Sequence, residues 1–186
     1  MAIIGITGFK HVGKSTAAKY LESKGFTRHN FKDAMVQEIK ANFPDLLKEI
    51  QEAYPLGGCP RLGLKWQYTI DELFTTKPPL MRALMVNYGT DVRRKDNPHY
   101  WVSEWIDKVI KINGNIVADD VRFHNEADAV KMGKGIIIRL ERDGVTTGGN
   151  HASETEQLQI VPDYTIKTKD GDIEDLHRQL DDIIKE

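Results

Sequence analysis

The chain has 186 residues, close to the length of one domain and short for two independent cores joined by a linker, so one domain with insertions is expected. Hydrophobic residues make up 40% and charged residues 29%, a balance that supports a packed core and argues against disorder and membrane residence. The 26 basic and 28 acidic residues leave a net charge of -2, which supplies no bulk positive field for a nucleic-acid polymer. An anionic partner then has to be met locally. Cys59 is the single cysteine, which excludes an internal disulfide and a thiolate metal cluster. The opening from Met1 to Lys10 has no basic leader ahead of a long apolar stretch and no window approaches a membrane span, so a cytoplasmic protein is expected.

In chain order, Ala2 to Ile6 is an apolar run long enough for a buried strand and too short for a helix. A helix is expected from about Lys14 to Ser23, with Ala17, Ala18 and Leu21 on one face and Gly25 placed to stop it. Phe26 to Phe31 reads as a second strand. From Lys32 to Asn113 the pattern turns mostly helical, broken by an irregular stretch at Pro55 to Arg61, and reads as an insertion. Met81, Leu84, Met85 and Tyr88, and then Trp101, Trp105, Ile106, Val109 and Ile110, recur at helical spacing and are assigned to core. Ile116 to Ala118 forms the third strand and ends on Asp119-Asp120. A helix from about Asn125 to Met132 leads to a fourth strand at Ile136 to Leu140. The polar, glycine-bearing stretch 141–157 reads as a mobile surface loop. Tyr164 to Ile166 is the fifth strand, and Ile173, Leu176, Leu180 and Ile183 line one face of a last helix. Short apolar strands alternating with helices predict an α/β fold with a five-stranded parallel sheet covered on both faces. Ligands bind such sheets beyond the carboxyl ends of the strands.

Gly8-Phe9-Lys10-His11-Val12-Gly13-Lys14-Ser15 matches the phosphate-binding loop G-x-x-x-x-G-K-[ST] and lies between a predicted strand and a predicted helix. Gly8 and Gly13 let the backbone N–H groups of the loop, His11 and Val12 included, turn inward and form an anion nest at a helix N-terminus. Lys14 supplies a point charge to the β and γ phosphates of a nucleotide. Ser15 can ligate Mg2+, and Thr16 can meet the α phosphate. The fold is therefore expected to be the three-layer P-loop NTPase fold with a helical insertion. No N-K-x-D guanine-reading motif is present, which argues against a GTPase. Arg122, directly after Asp119-Asp120-Val121, suits a second phosphate-bearing substrate, because a guanidinium can hold phosphate in a bidentate pair.

Asp120 to Ala127, the Phe31-Lys32-Asp33-Ala34 turn, Gly89-Thr90-Asp91 leading to Asn97 through Val102, His151 to Glu154, and Asp163 to Ile166 together resemble the bacteriophage-type deoxynucleoside monophosphate kinases. The resemblance covers most of the chain in the family's order. It implies transfer of the ATP γ-phosphate to a deoxynucleoside monophosphate, with Mg2+. It also implies roles for single residues. Lys14, Arg122 and Arg142 would be catalytic, and Lys32, Asp33, Arg82, Asp120, Arg122 and Glu154 would meet the acceptor, Asp33 being equally placed to cap the next helix. Two readings of Asp120 stay open: holding a magnesium-bound water or the acceptor, or fixing Arg122 by a salt bridge. Among Arg82, Arg93 and Arg94, one would hold the acceptor phosphate. Arg139 and Arg142 flank the end of the fourth strand, and alternation favours Arg142 as the lid arginine, with His151 and Glu154 either in the same lid or in a helix-start capping pattern at Ser153. The insertion 32–113 would bind the acceptor and 141–157 would act as the lid. Two alternatives are carried: a P-loop kinase for another small acceptor such as dephospho-coenzyme A, and a non-enzymatic nucleotide-binding switch. A viral member would work in the host cytoplasm, and homodimerisation is left open.

Overall fold

The computed structural model describes residues 1–55, 67–145 and 152–185, without the side chains of 152–154. Cys59, His151, the Glu154 side chain and the irregular stretch beyond Pro55 lie outside the described residues. The elements begin with β1 (Ile3–Thr7), α1 (Lys14–Ser23), β2 (Phe26–Arg28), α2 (Lys32–Asn42) and α3 (Pro44–Ala53). Next come α4 (Ile70–Thr76), α5 (Pro79–Val86), a π-helix (Asn87–Arg94) and α6 (Tyr100–Val109). The chain closes with β3 (Asn115–Ala118), α7 (His124–Met132), β4 (Ile136–Arg142), α8 (Ala152–Gln159), β5 (Tyr164–Thr168) and α9 (Ile173–Lys185).

The chain divides into two compact units, Met1–Phe31 with Val102–Glu186, and Lys32–Trp101. In the first unit the described strands form a five-stranded sheet in the order β2-β3-β1-β4-β5, parallel throughout. Parallel neighbours need crossover connections, so helices cover both faces. Alternation along each strand sorts the side chains. Ile4, Ile6, Val117, Ile138 and Leu140 pack with Ala17, Ala18 and Leu21 of α1 and with Leu176 and Leu180 of α9. Ile3, Ile116, Ala118 and Ile137 pack with Trp105 and Val109 of α6 and with Ala127 and Val130 of α7. This is the three-layer α/β architecture that the strand and helix pattern predicts.

The second unit packs α2 to α5 around Ile39, Leu47, Leu73 and Met81. Its α4 starts with a reciprocal cap: the Glu72 N–H donates to Thr69 Oγ1 at 3.2 Å, and the Thr69 N–H donates to Glu72 Oε2 at 2.7 Å. The π-helix passes so close to α2 that a Cβ on Gly89 would lie 2.6 Å from Met35 Sδ. The Gly89 carbonyl accepts from Trp101 Nε1 at 2.9 Å.

Four expectations differ from what is observed. β2 stops at Arg28: after the His29 N–H donates to the Val117 carbonyl, Asn30 and Phe31 exchange side-chain hydrogen bonds with Asp119 and Asp120, beyond the end of β3. The second unit ends at Trp101, short of Asn113, since Val102, Trp105 and Val109 bury themselves in the first unit's core. The stretch 141–157, expected to be loop, includes the start of α8. The guanidinium of Arg139 donates to the carbonyls of Gln157 and Leu158 at 3.1 and 3.3 Å, so the last turn of that helix is held by a cation as well as by its own ladder. Finally, Ile110 and Ile173, assigned to apolar faces, are 69% and 51% exposed.

Candidate active site

The loop after β1 has the geometry that its glycines allow. Gly8 sits at φ 138°, Gly13 at 99°, and His11, a non-glycine, at 71°. Space is equally demanding at Gly8, where a Cβ would fall 2.4 Å from the Leu140 carbonyl oxygen. Gly13 precedes α1 and its carbonyl accepts the Ala17 N–H at 2.9 Å, so the loop ends in the first turn of the helix. Val12 is buried against the α1 and α9 side of the sheet. Lys14 Nζ reaches back to donate to the Gly8 and Phe9 carbonyls, both at 2.6 Å. Thr16 follows in the first turn of α1, half-buried.

Ser15 Oγ donates to Asp119 Oδ2 at 3.0 Å, and Asp119 is only 4% exposed. Arg28, at the end of β2, grips the same carboxylate. Its Nε donates to Oδ1 at 3.2 Å, its terminal nitrogen donates to Oδ2, and that nitrogen also lies 3.4 Å from Ser15 Oγ. The segment after β2 fixes the carboxylate's backbone. The His29 N–H donates to the Val117 carbonyl at 2.9 Å, and the Asp119 N–H donates to Asn30 Oδ1 at 2.9 Å. Asp120, the residue chosen from the sequence to share the metal with Ser15, has its Oδ1 on the Phe31 N–H at 3.0 Å. The structure thus brings Asp119, its neighbour, to Ser15.

Sequence reasoning passed over both Asp119 and Arg28. Tertiary placement accounts for both. Val117 packs with α1 while Ala118 packs on the opposite face, and period-two alternation carries Asp119 back to the α1 side, where the phosphate loop opens. Arg28 pairs in register with Val117, so its side chain shares that face.

Arg122 lies between β3 and α7, half-buried. Its N–H and that of Phe123 both donate to Glu126 Oε2, at 2.7 and 3.1 Å, and this buried carboxylate anchors the start of α7. Arg139 and Arg142 diverge by strand alternation. The first reaches the end of α8, while the second pairs with Asp170 and donates to the His11 carbonyl, tying β4 to the phosphate loop. Beside that loop lies a cavity of about 210 Å³ lined by Phe9, Val12, Arg142, Val145, Leu158 and Lys167.

The other candidates belong to the second unit. Lys32 and Asp33 open α2, and Arg82 is exposed on α5. Arg93 is committed to a polar cluster. Its Nε and terminal nitrogen donate to Glu38 Oε2 at 3.0 and 2.8 Å, and its guanidinium stacks over the rings of Tyr88 and Tyr100. Arg94 donates to the Pro98 carbonyl at 3.3 Å. Burial pushes the Glu38 carboxyl up, yet hydrogen bonds from Tyr100, Tyr88 and Arg93 outweigh it and hold the group below its ordinary value.

A parallel sheet of this order, with a lysine-bearing glycine loop at the carboxyl end of its central strand and a buried aspartate at the end of the next, defines a P-loop protein. A protein of Acanthamoeba polyphaga mimivirus, provisionally named a deoxynucleotide monophosphate kinase, is 28% identical over 97% of this chain and 94% of its own. Among solved structures, a dephospho-CoA kinase from Campylobacter jejuni aligns with 98% of this chain and 95% of that one, at 16% identity and a TM-score of 0.47. A shikimate kinase from Acinetobacter baumannii aligns with 100% and 93%, at 14% identity and a TM-score of 0.46. The family model for deoxynucleotide monophosphate kinase matches residues 67–180, and the chain belongs to that family.

Proposed function

We propose that the protein transfers the γ-phosphoryl group of ATP, with Mg2+, to a deoxynucleoside 5'-monophosphate, giving ADP and the deoxynucleoside diphosphate. The observation that carries this reading is the join between the phosphate loop and the end of β3, where Ser15 Oγ lies 3.0 Å from a buried carboxylate beside Lys14. Both groups are hard oxygen donors of the kind magnesium takes alongside water and phosphate oxygens, so the pair fits the ion. In this reading Asp119, in place of Asp120, is the carboxylate of the metal pair. Bound there, the ion would neutralise charge on the β and γ phosphates.

The chain's own groups do the positioning. The N–H groups from Gly8 to Gly13, including those of His11 and Val12, cradle the donor phosphates; Lys14 meets the β and γ phosphates, and Thr16 the α phosphate. The cavity beside Phe9 and Val145 receives the donor nucleoside. An acceptor phosphate oxygen attacks the γ-phosphorus in line, and the new P–O bond forms as the bond to the bridging oxygen of the β phosphate breaks. Arg122 and Arg142 stabilise the charge on the group in transit. Lys32, Asp33, Arg82, Asp120 and Glu154 are assigned to the acceptor, with the Lys32–Trp101 unit as its binding module and 141–157 as the lid. The described residues contain no helix long and apolar enough to cross a membrane, in keeping with work on a diffusible substrate in the cytoplasm, that of the host for a viral protein.

The test is Lys14→Ala in an assay that couples ADP release to a deoxynucleoside monophosphate. We expect transfer to fall by about a hundredfold or more with the melting temperature preserved. Turnover near that of the unaltered protein would reject the reading.

A further inference from the structure

Asp119 is a carboxylate with almost no solvent, and a group so buried requires a counter-charge. Arg28 provides one in a form that conflicts with metal loading. The guanidinium engages both carboxylate oxygens, and its terminal nitrogen spans Asp119 Oδ2 and Ser15 Oγ, the same two oxygens that the magnesium reading assigns to the ion. Magnesium demands short bonds in a near-octahedral arrangement, and two cations cannot share one pair of oxygens at such distances without strong repulsion. Loading therefore requires that at least one charge-assisted hydrogen bond of Arg28 be broken. A way out exists, since the Arg28 side chain is 25% exposed and β2 is an edge strand whose backbone stays paired to β3.

We propose that Arg28 is a resident competitor of the divalent ion at the Ser15 and Asp119 oxygens. It stabilises the buried carboxylate and withdraws as metal and nucleotide bind, so that this one side chain sets the magnesium requirement of the protein. The inference rests on the reading of Ser15 and Asp119 as the magnesium donors. It makes Arg28 a positioning residue, acting on the metal site through Asp119.

The experiment measures equilibrium binding of a non-hydrolysable ATP analogue by calorimetry, across a Mg2+ series and in EDTA, for the unaltered protein, Arg28→Met and Arg28→Lys. With the competitor removed, the half-saturating Mg2+ concentration for analogue binding should fall about tenfold or more in Arg28→Met, the factor set by one charge-assisted hydrogen bond no longer broken on loading. Arg28→Lys, which keeps the charge and loses the bidentate fork, should fall by less. If Arg28→Met fails to fold because Asp119 is left unpaired, a downward shift in Arg28→Lys supports the proposal and none overturns it. A magnesium requirement that is unchanged or higher in the variants, while the unaltered protein depends on Mg2+, overturns the inference alone. Analogue binding by the unaltered protein that ignores Mg2+ overturns the magnesium reading and the inference together.

Discussion

Two adjacent carboxylates at the end of β3 divide the work, and the division can be tested one atom at a time. Asp119 meets Ser15 and Arg28, while Asp120 receives the Phe31 N–H. Asp119→Asn keeps the shape and loses the charge, so the half-saturating Mg2+ concentration should rise and kcat/KM should fall by about a hundredfold. Asp120→Asn keeps an oxygen for the Phe31 N–H and should leave the magnesium requirement close to unaltered. Steady-state rates across a Mg2+ series distinguish the two, and the opposite ranking would return the metal to Asp120. The loop itself was legible in the string, since Gly8, Gly13, Lys14 and Ser15 are fixed by backbone angle and charge and need no distant partner. The choice between Asp119 and Asp120 depended on which face of β3 carries α1, a tertiary fact that alternation alone leaves unassigned until a buried neighbour such as Val117 is placed. Arg28 was harder to find. Its role comes from strand pairing that brings it to Asp119, 91 residues away in sequence, and no local motif marks it.

Among the elements, the π-helix Asn87–Arg94 and its partners illustrate what a helical period conceals. The Tyr88 spacing that marks core is correct, and Tyr88 is 7% exposed, but its hydroxyl also donates to Glu38 at 2.7 Å. The amphipathic pattern detects the ring and misses the polar tip. The cluster carries a pH signature. Because the Glu38 carboxyl is held below its ordinary value near 4.5, its contribution to stability is complete above that pH and is lost as pH falls through the lower folded-state value. Glu38→Gln should lower the melting temperature at neutral pH, and the gap from the unaltered protein should close as the pH drops below about 4.5. Melting curves at stepped pH read this directly, and a gap that widens on acidification would refute the charge assignment. The end of stretch 141–157 was read as lid loop with a helix start at Ser153 as the alternative, and α8 begins there at Ala152. Its helix is held in part by Arg139 from β4, a partner that composition does not reveal.

For the whole molecule, a net charge of -2 supplies no bulk field for a polymeric anion and hides where small phosphates could be met. The cations are committed individually: Lys14 to its own loop, Arg28 to Asp119, Arg142 to Asp170 and the His11 carbonyl, and Arg93 to Glu38. The parallel sheet and its layering were legible because short apolar runs between helices admit few arrangements, while the strand order comes from the structure. The boundary at Trp101 was not, because one amphipathic stripe from Trp101 to Val109 serves two cores. Product identification is the most direct check on whether this chain phosphorylates deoxynucleoside monophosphates. Purified protein is incubated with ATP, Mg2+ and, in separate reactions, deoxynucleoside monophosphates, ribonucleoside monophosphates and dephospho-coenzyme A, and the products are separated. The reaction should give ADP together with a deoxynucleoside diphosphate in equal amounts, with dGMP or dTMP among the acceptors used. ADP released at the same rate without any acceptor, or phosphate carried only to dephospho-coenzyme A, would contradict it.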